Sequence, residues 1–119
     1  MKIIRAMFIL STLFVLTSCT LNSIPTDKKA YIGEWVGKNK NTKMTLSIES
    51  NAFVKYLKKT TTSSESSTKI NAFIEEFDGD DIIVSLYVTT AKFVVTSPPK
   101  EHNTTWTMVV DGMTLTRAK

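Results

Sequence analysis

The distribution of apolar and polar residues after position 30 predicts a domain built from short β-strands. Met44, Leu46 and Ile48 alternate with polar residues, and the same alternation returns at Ile82 and Val84. A period of two places every second side chain on one face, which is typical of a strand with one buried face. Similar segments give about eight predicted strands, at 32–38, 44–49, 52–59, 70–77, 81–88, 92–96, 105–110 and 113–117.

Turn residues separate these segments. Asp78-Gly79-Asp80 and Asp111-Gly112 predict tight turns, because glycine adopts positive φ without steric cost. Pro98-Pro99 is predicted to end the strand at 92–96, since proline donates no hydrogen bond to a ladder. With no long amphipathic helix in this region, the predicted fold class is all-β. We expect a small antiparallel meander forming a closed or partly open barrel, with a β-sandwich as the alternative.

Two polar segments lack this periodicity. The run TTTSSESST at 60–68 is predicted to be a flexible loop at a hairpin tip, although threonine favours strands and a solvent-facing edge strand is the alternative. The segment TLNSIPTDKKA at 20–30 contains Pro25 and is predicted to be a flexible tether.

The N-terminus has a different pattern. Lys2 and Arg5 precede an apolar run at 6–16, which fits the hydrophobic region of a signal peptide. A helix from Ile3 to Leu16 would span about 21 Å at ~1.5 Å per residue. This is shorter than the ~30 Å hydrocarbon core of a bilayer, so the pattern favours a cleaved leader over a transmembrane anchor.

The leader ends in Leu16-Thr17-Ser18-Cys19, an aliphatic residue, two small residues and a cysteine. This segment resembles the lipobox of bacterial lipoproteins. The resemblance implies cleavage between Ser18 and Cys19, a diacylglycerol on the Cys19 thiol and a further acyl chain such as palmitate on the new amine. The implied organisation is a helical signal peptide at 1–18, a lipidated cysteine and tether at 19–30, and a barrel-like domain at 31–119.

An ordinary secretory signal with an incidental cysteine and a cytosolic protein with an apolar N-terminus remain the alternatives. By the same resemblance, Cys19 attaches the protein to the lipid bilayer of a bacterial envelope. Thr20, where some lipoproteins have aspartate, implies the outer membrane, facing the periplasm, in a Gram-negative cell. In a Gram-positive cell the same leader implies the outside of the plasma membrane.

Charge does not point to nucleic acid. The chain has 15 basic and 11 acidic residues, and Lys2 and Arg5 belong to the leader. The positive charge that remains is too small and scattered to predict a nucleic-acid partner. Cys19 is the only cysteine, so no intramolecular disulfide can form.

Residues that could carry chemistry are few. His102 is the only histidine, although metal sites and catalytic triads normally recruit several partners. An acidic run has no calcium-loop spacing and is interpreted as a solvated turn; it comprises Glu75, Glu76, Asp78, Asp80 and Asp81. We therefore predict no enzymatic activity, no metal site and no cofactor.

Two tryptophans are candidates for a ligand site or for the core. Gly33-Glu34-Trp35 resembles the G-x-W motif near the start of lipocalin-type and related calycin barrels. Trp106 and the hairpin at 111–116 are similar to the last hairpin of small lipocalin-like lipoproteins. The resemblance implies that Trp35 closes one end of a barrel. Trp35 and Trp106 are equally well interpreted as core aromatic residues.

These observations lead to three functional hypotheses. The leading one is a non-catalytic, membrane-anchored lipoprotein that contacts an envelope protein or glycan. The second is a lipocalin-like carrier of a small apolar ligand, which needs an interior not filled by aromatic residues. The third is a hydrolase or, in its other version, an inhibitor of a lytic enzyme with 60–68 or 97–104 as the inhibitory loop.

Overall fold

The computed structural model describes residues 20–62 and 64–118, so the leader with Ser18 and Cys19 lies outside the described residues. A short 3-10 helix, Thr26–Tyr31, precedes nine strands. The strands are β1 (Gly33–Lys38), β2 (Thr42–Ile48), β3 (Phe53–Thr61), β4 (Glu65–Asp78), β5 (Asp81–Ser85), β6 (Thr90–Phe93), β7 (Val95–His102), β8 (Thr105–Val110) and β9 (Met113–Arg117).

The nine strands form one antiparallel sheet that curls into a half-barrel. Their order is β6-β5-β4-β3-β2-β1-β9-β8-β7. Strands consecutive in sequence therefore pair, except β6 with β7, and β1 also pairs with β9. The all-β meander of barrel type is therefore confirmed, and the sandwich alternative is wrong because the strands belong to one sheet. The ninth strand arises because the predicted strand at 92–96 divides at Val94.

The predicted alternation gives the sheet one buried face. Met44, Leu46 and Ile48 of β2 are buried, as are Ile82 and Val84 of β5. The other fully buried side chains of β1 to β9 follow the same alternation; they are Trp35, Val54, Ile74, Met108, Val110 and Leu115. Burying one such side chain contributes about 1.5–3 kcal/mol, which makes this inner face the main source of stability.

The polar run at 60–68 is mostly strand rather than loop. β3 and β4 stay in register from Phe53 opposite Phe73 to Thr61 opposite Glu65, leaving only 62–64 between them. The loop prediction is therefore wrong: these residues are mostly strand, as in the alternative, although β3 and β4 lie inside the sheet order rather than at its edge. Both faces are exposed here, so the sequence has no apolar alternation, and the backbone ladder and threonine propensity hold the strands.

The two prolines also lie inside a strand. β7 contains Pro98 and Pro99 but is an edge strand that pairs only with β8. Its register shifts between Ser97 and Lys100, so the prolines fall at an irregularity where no ladder bond is required of them. The predicted strand end at these residues is therefore wrong.

The segment 20–30 packs on the domain, in contrast to the predicted tether. Ile24 is 2% exposed, and its amide donates to Ser50 O at 3.3 Å. The Leu21 amide donates to Ile74 O at 2.8 Å, on β4. The tether prediction is corrected for these residues because two apolar side chains, too few to show a period, are enough to dock the segment.

The sheet's two edges are brought together by one short corner. β6 and β7 are consecutive in sequence but do not pair, and Val94 connects them. The Val95 amide donates to Asp81 Oδ1 at 2.7 Å, and the Val94 amide donates to Asp111 Oδ1 at 2.9 Å. These carboxylates satisfy donors that a continuous ladder would otherwise have paired.

Candidate functional site

The two predicted tryptophans meet around an arginine that the sequence interpretation did not select. The Arg117 guanidinium carbon lies 4.8 Å from the ring centroids of both Trp35 and Trp106. Trp35 is fully buried, whereas Trp106 is partly buried. Trp35 is therefore a core residue, and the two rings hold the cation between them through cation–π attraction.

Backbone groups around this cluster fix its geometry. Arg117 donates from Nη2 to Ala30 O, and the Trp35 indole donates to Tyr31 O at 2.9 Å. Gly33 has φ +144°, and a Cβ at this position would meet Arg117 Nε at 3.0 Å. The glycine of the G-x-W motif thus leaves room for the arginine. Arg117 follows Met113 and Leu115 at a spacing of two, which is the signal that could have placed it on their face.

The acidic run forms the β4–β5 turn, as predicted, and three of its side chains have basic partners. Asp78 pairs with Asp81 across the turn. Lys92 Nζ lies 3.3 Å from Asp78 Oδ2 and 3.5 Å from Asp81 Oδ2. The hydrogen bond to Asp78 raises the pKa of the Lys92 amine above its ordinary value. These pairs account for Asp78 and Asp81, whereas Glu75 and Glu76 precede the turn in β4.

The same turn holds the 3-10 helix. Lys28 Nζ lies 3.7 Å from Asp80 Oδ1, and the Tyr31 hydroxyl donates to Asp80 O at 2.9 Å. Tyr31 also makes an edge contact with Phe77, with ring centroids 5.1 Å apart. Desolvation, followed by the charges of Asp80 and Asp81, raises the pKa of Tyr31 to about 12.

His102 lies exposed at the end of β7, beside the turn at 103–104. Among residues 20–62 and 64–118, no three histidine, cysteine, aspartate or glutamate side chains gather in a way that would hold a metal ion. The candidate inhibitory loop at 97–104 is mostly strand β7 with a two-residue turn, just as 60–68 is mostly hairpin strand.

One end of the sheet carries a concentration of positive charge, which we call the lysine end: Lys38, Lys40, Lys43 and Lys59. Lys43 lies directly opposite Lys38 on β1 and opposite Lys59 on β3, so three lysines form a row across neighbouring strands. All four are exposed, and no salt bridge found among the described residues includes any of them. Together with Asn39, Asn41, Thr42 and Thr61 they line a groove of about 310 Å³.

A second groove, of about 550 Å³, lies beside the first described residue, and we call it the Thr20 groove. It is lined by Thr20, Phe53, Asn71, Ala72, Phe73, Ser85, Leu86 and Tyr87. Phe53 and Phe73 face each other across β3 and β4 with ring centroids 4.9 Å apart. Phe53 therefore lies on the outer face of the sheet rather than in the interior.

A third groove, of about 670 Å³, opens on the outer face of β1 to β4. Outward-facing residues such as Ser47, Lys55, Leu57 and Lys69 line most of it. On the inner face, Trp35 and Phe93 are core residues at 0% and 3% exposure. In the part of the chain that the structure describes, the larger grooves thus lie outside the packed face.

Comparison with known proteins adds no relative: no protein-family model, no curated protein and no solved structure matches this chain. Within the described residues, no helix has the length and apolar character needed to cross a bilayer. The leader sequence, the lysine end and the grooves are therefore the features from which a function can be inferred.

Proposed function

We propose that this protein is a lipid-anchored lipoprotein of the bacterial envelope whose β domain binds another envelope component without catalysing a reaction. The anchor is supported by the sequence Leu16-Thr17-Ser18-Cys19 behind an apolar leader. The binding role is supported by the lysine end, which is the single structural observation that carries it.

The lysine row is unfavourable for folding and therefore calls for another explanation. Like charges directly opposite each other on neighbouring strands destabilise a sheet. Lys43 has such a neighbour on both sides, Lys38 and Lys59. An anionic partner removes this repulsion, and the relief of the repulsion contributes favourably to the free energy of binding.

The partner that fits this surface carries negative charge and presents it over a broad area. The four lysines flank Asn39, Asn41 and Thr42, whose side chains can form hydrogen bonds with a glycan or a protein surface. An acidic face of an envelope protein or an anionic envelope glycan has this chemistry. Because exposed charges are screened, we expect salt to weaken the contact.

The anchor is tested in the native host. The mature protein purified from membranes should begin at Cys19 and carry the added mass of the acyl groups. Cys19→Ser should abolish incorporation of labelled fatty acid, while Ser18→Ala, which keeps a small residue at that position, should retain it. An N-terminus elsewhere, or wild-type protein without lipid mass, would contradict the anchor.

The contact is tested by placing a photo-reactive amino acid at Thr61, which lines the lysine-end groove. Irradiated envelopes should give a specific adduct that is lost in the Lys43→Gln/Lys59→Gln variant and in high salt. Lys100→Gln, which removes an exposed lysine of β7 outside the lysine end, is the matched control and should keep the adduct. Equal adducts in all variants, or none in wild type, would refute the binding role.

A carrier function has one supporting observation, the outer groove of about 670 Å³. Phe53 and Leu57 give it apolar walls, and Lys55 and Lys69 could pair with the acidic head of an amphipathic ligand. Ligand pockets usually enclose 70–90% of their ligand, whereas this groove opens outward. Native mass spectrometry of the membrane-extracted protein would favour this second candidate if a stoichiometric small ligand stayed bound.

A further inference from the structure

We propose that the surface around the Thr20 groove, with Tyr87 and Val88 at its rim, is the face through which the domain rests on the lipid bilayer. This inference deepens the proposed function and rests on the acylation of Cys19. It assigns a second contact with lipid, made by side chains of the folded domain, in addition to the acyl chains.

The path of the chain brings the anchor to this groove. Thr20 lines it, and the next residue, Leu21, is held by a backbone hydrogen bond to Ile74. Cys19 directly precedes Thr20 in the sequence, and consecutive Cα atoms are about 3.8 Å apart. Since 20–30 is docked on the domain, no free linker separates acyl chains on Cys19 from this surface.

The surface is also where exposed apolar side chains concentrate. Among the described residues, four large apolar side chains are exposed, namely Phe73, Tyr87, Val88 and Val94. Phe73 and Tyr87 line the Thr20 groove, and Val88 follows Tyr87 in the loop between β5 and β6. Tyr87 and Val88 are as exposed as in an extended chain, at 105% and 96%. Exposed apolar patches mark contact sites, and a membrane is one such partner.

The groove has the polarity that a lipid interface accepts. None of its eight lining residues is charged. Residues 82–91, which include the exposed loop, also contain no charged side chain. When these residues enter the interface, they bury no charged side chain. Tyrosine suits this depth because its ring is apolar and its hydroxyl can reach water or headgroups.

This orientation leaves the lysine end available for its partner. From Phe53 to Lys59 the chain advances six residues along β3, or about 20 Å at ~3.3 Å per residue. The Thr20 groove and the lysine end thus lie about 20 Å apart along β3. The two proposed surfaces do not compete for the same partner.

The test uses full-length, acylated protein in phosphatidylcholine vesicles. Acylation blocks the only cysteine, so Val88→Cys introduces a single reactive thiol for a nitroxide label. Thr62→Cys, at the exposed tip of the β3–β4 hairpin, is the matched control. We expect the label at position 88 to collide several-fold more often with oxygen, relative to a water-soluble nickel chelate, than the label at position 62.

Further variants sharpen the result. Adding Tyr87→Ser to the Val88→Cys protein should move the label toward the aqueous phase. The depth should be the same in vesicles that contain phosphatidylglycerol, because the surface is uncharged. Equal aqueous accessibility at both labels, an unchanged depth after Tyr87→Ser, or insertion only into anionic vesicles would each overturn the proposal.

The wild-type protein separates failure of this inference from failure of the anchor. If wild-type protein takes up the label, its Cys19 thiol is free and the proposed acylation is wrong. If it takes up none and remains on the vesicles while both engineered labels read as aqueous, the anchor stands and only the bilayer-contact surface is refuted.

Discussion

Gly37 in β1 occupies a position where no side chain fits. A Cβ at this residue would lie 2.5 Å from Thr114 O and 2.5 Å from Leu115 Cδ2, both on β9. The backbone oxygen cannot move away without disturbing the pairing of β1 with β9. The close approach of these strands therefore depends on glycine.

We predict that Gly37→Ala destabilises the protein by about 1–3 kcal/mol, the usual cost of overpacking a core. Urea unfolding followed by tryptophan fluorescence measures the change. Gly79→Ala is a useful comparison, because a Cβ there meets no atom within 4 Å and only the backbone strain at φ +64° remains. A Gly37→Ala protein as stable as wild type would show that β1 and β9 can move apart at this position without a cost in stability.

Tyr31 links stability to pH at the alkaline end. Burial and the neighbouring aspartates raise its pKa from 10.0 to about 12 in the folded state. Above pH 10 the unfolded chain loses this proton while the folded chain keeps it. Ionisation therefore stabilises the unfolded state relative to the folded state. The contribution of Tyr31 is thus complete below pH 10 and is lost as pH rises toward 12.

We predict that Tyr31→Phe lowers stability near neutral pH by about 0.5–1.5 kcal/mol, the value of a typical hydrogen bond, through loss of the bond to Asp80 O. The difference from wild type should narrow as pH rises above 10, because the variant has no phenol to ionise. Denaturant unfolding across this pH range tests the prediction. A constant difference at all pH values would contradict it.

At the scale of elements, the segment before β1 is structural. Ile24 is buried at 2% exposure, and Tyr31 at 3%. We predict that Ile24→Ala costs about 2–4 kcal/mol through loss of burial and creation of a cavity. Ser23→Ala, at the exposed neighbouring position, should change the free energy of unfolding by less than about 0.5 kcal/mol. Equal effects of the two substitutions would contradict the docking of this segment and favour a flexible tether.

For the lysine row we expect a substitution to stabilise the protein rather than to destabilise it. We predict that Lys43→Gln stabilises the protein by about 0.2–1 kcal/mol, because it removes the central charge of three aligned lysines. The gain should be larger at low ionic strength, where screening is weak. Thermal unfolding at two salt concentrations measures it. A loss of stability that is independent of salt would mean that the Lys43 side chain contributes by packing.

Elements with one buried face were predictable from the sequence. β2, β8, β9 and the turns at Gly79 and Gly112 agree with the alternation and the turn residues. β5 agrees only in its first part, because it ends at Ser85 although the alternation continues through Leu86 and Val88. The β3–β4 hairpin beyond Leu57 was not predictable in this way, because both of its faces are exposed. The docking of 20–30 depends on contacts with residues distant in sequence, such as the hydrogen bond from the Ile24 amide to Ser50 O, and no local pattern predicts them.

The site was predictable only in part. Trp35 and Trp106 were selected as aromatic residues, but their shared cation, Arg117, required knowledge that β1, β8 and β9 are neighbours. The lysine row could not be predicted for the same reason. Lys38, Lys43 and Lys59 are spread over the sequence, and only the register of β1, β2 and β3 aligns them.

At the scale of the molecule, the β6–β7 corner holds the two edges of the half-barrel together. Asp81 accepts the Val95 amide at 2.7 Å while its second oxygen faces Lys92 at 3.5 Å. We predict that Asp81→Ala costs about 1–3 kcal/mol, because it leaves a backbone donor of buried Val95 without its acceptor. Asp81→Asn keeps an acceptor oxygen and should cost less.

Hydrogen exchange at Val95 checks this interpretation directly. The amide should exchange faster in Asp81→Ala than in Asp81→Asn, while Val84 in the middle of β5 should keep its protection. Loss of protection throughout the sheet would instead indicate global destabilisation. Equal exchange rates at Val95 in both variants would contradict the role of the Asp81 side chain as the acceptor for this amide.

The docked N-terminal segment has a consequence for reach. A lipoprotein with a long disordered spacer can search for partners across a wide gap, whereas this chain has no slack between Thr20 and the sheet. With Cys19 acylated, the domain would be held close to the membrane without a flexible spacer. Its lysine end would stay at a fixed distance from the anchored end, about 20 Å along β3. Lengthening the chain between Cys19 and Thr20 would then change which partners it meets without altering a single contact residue.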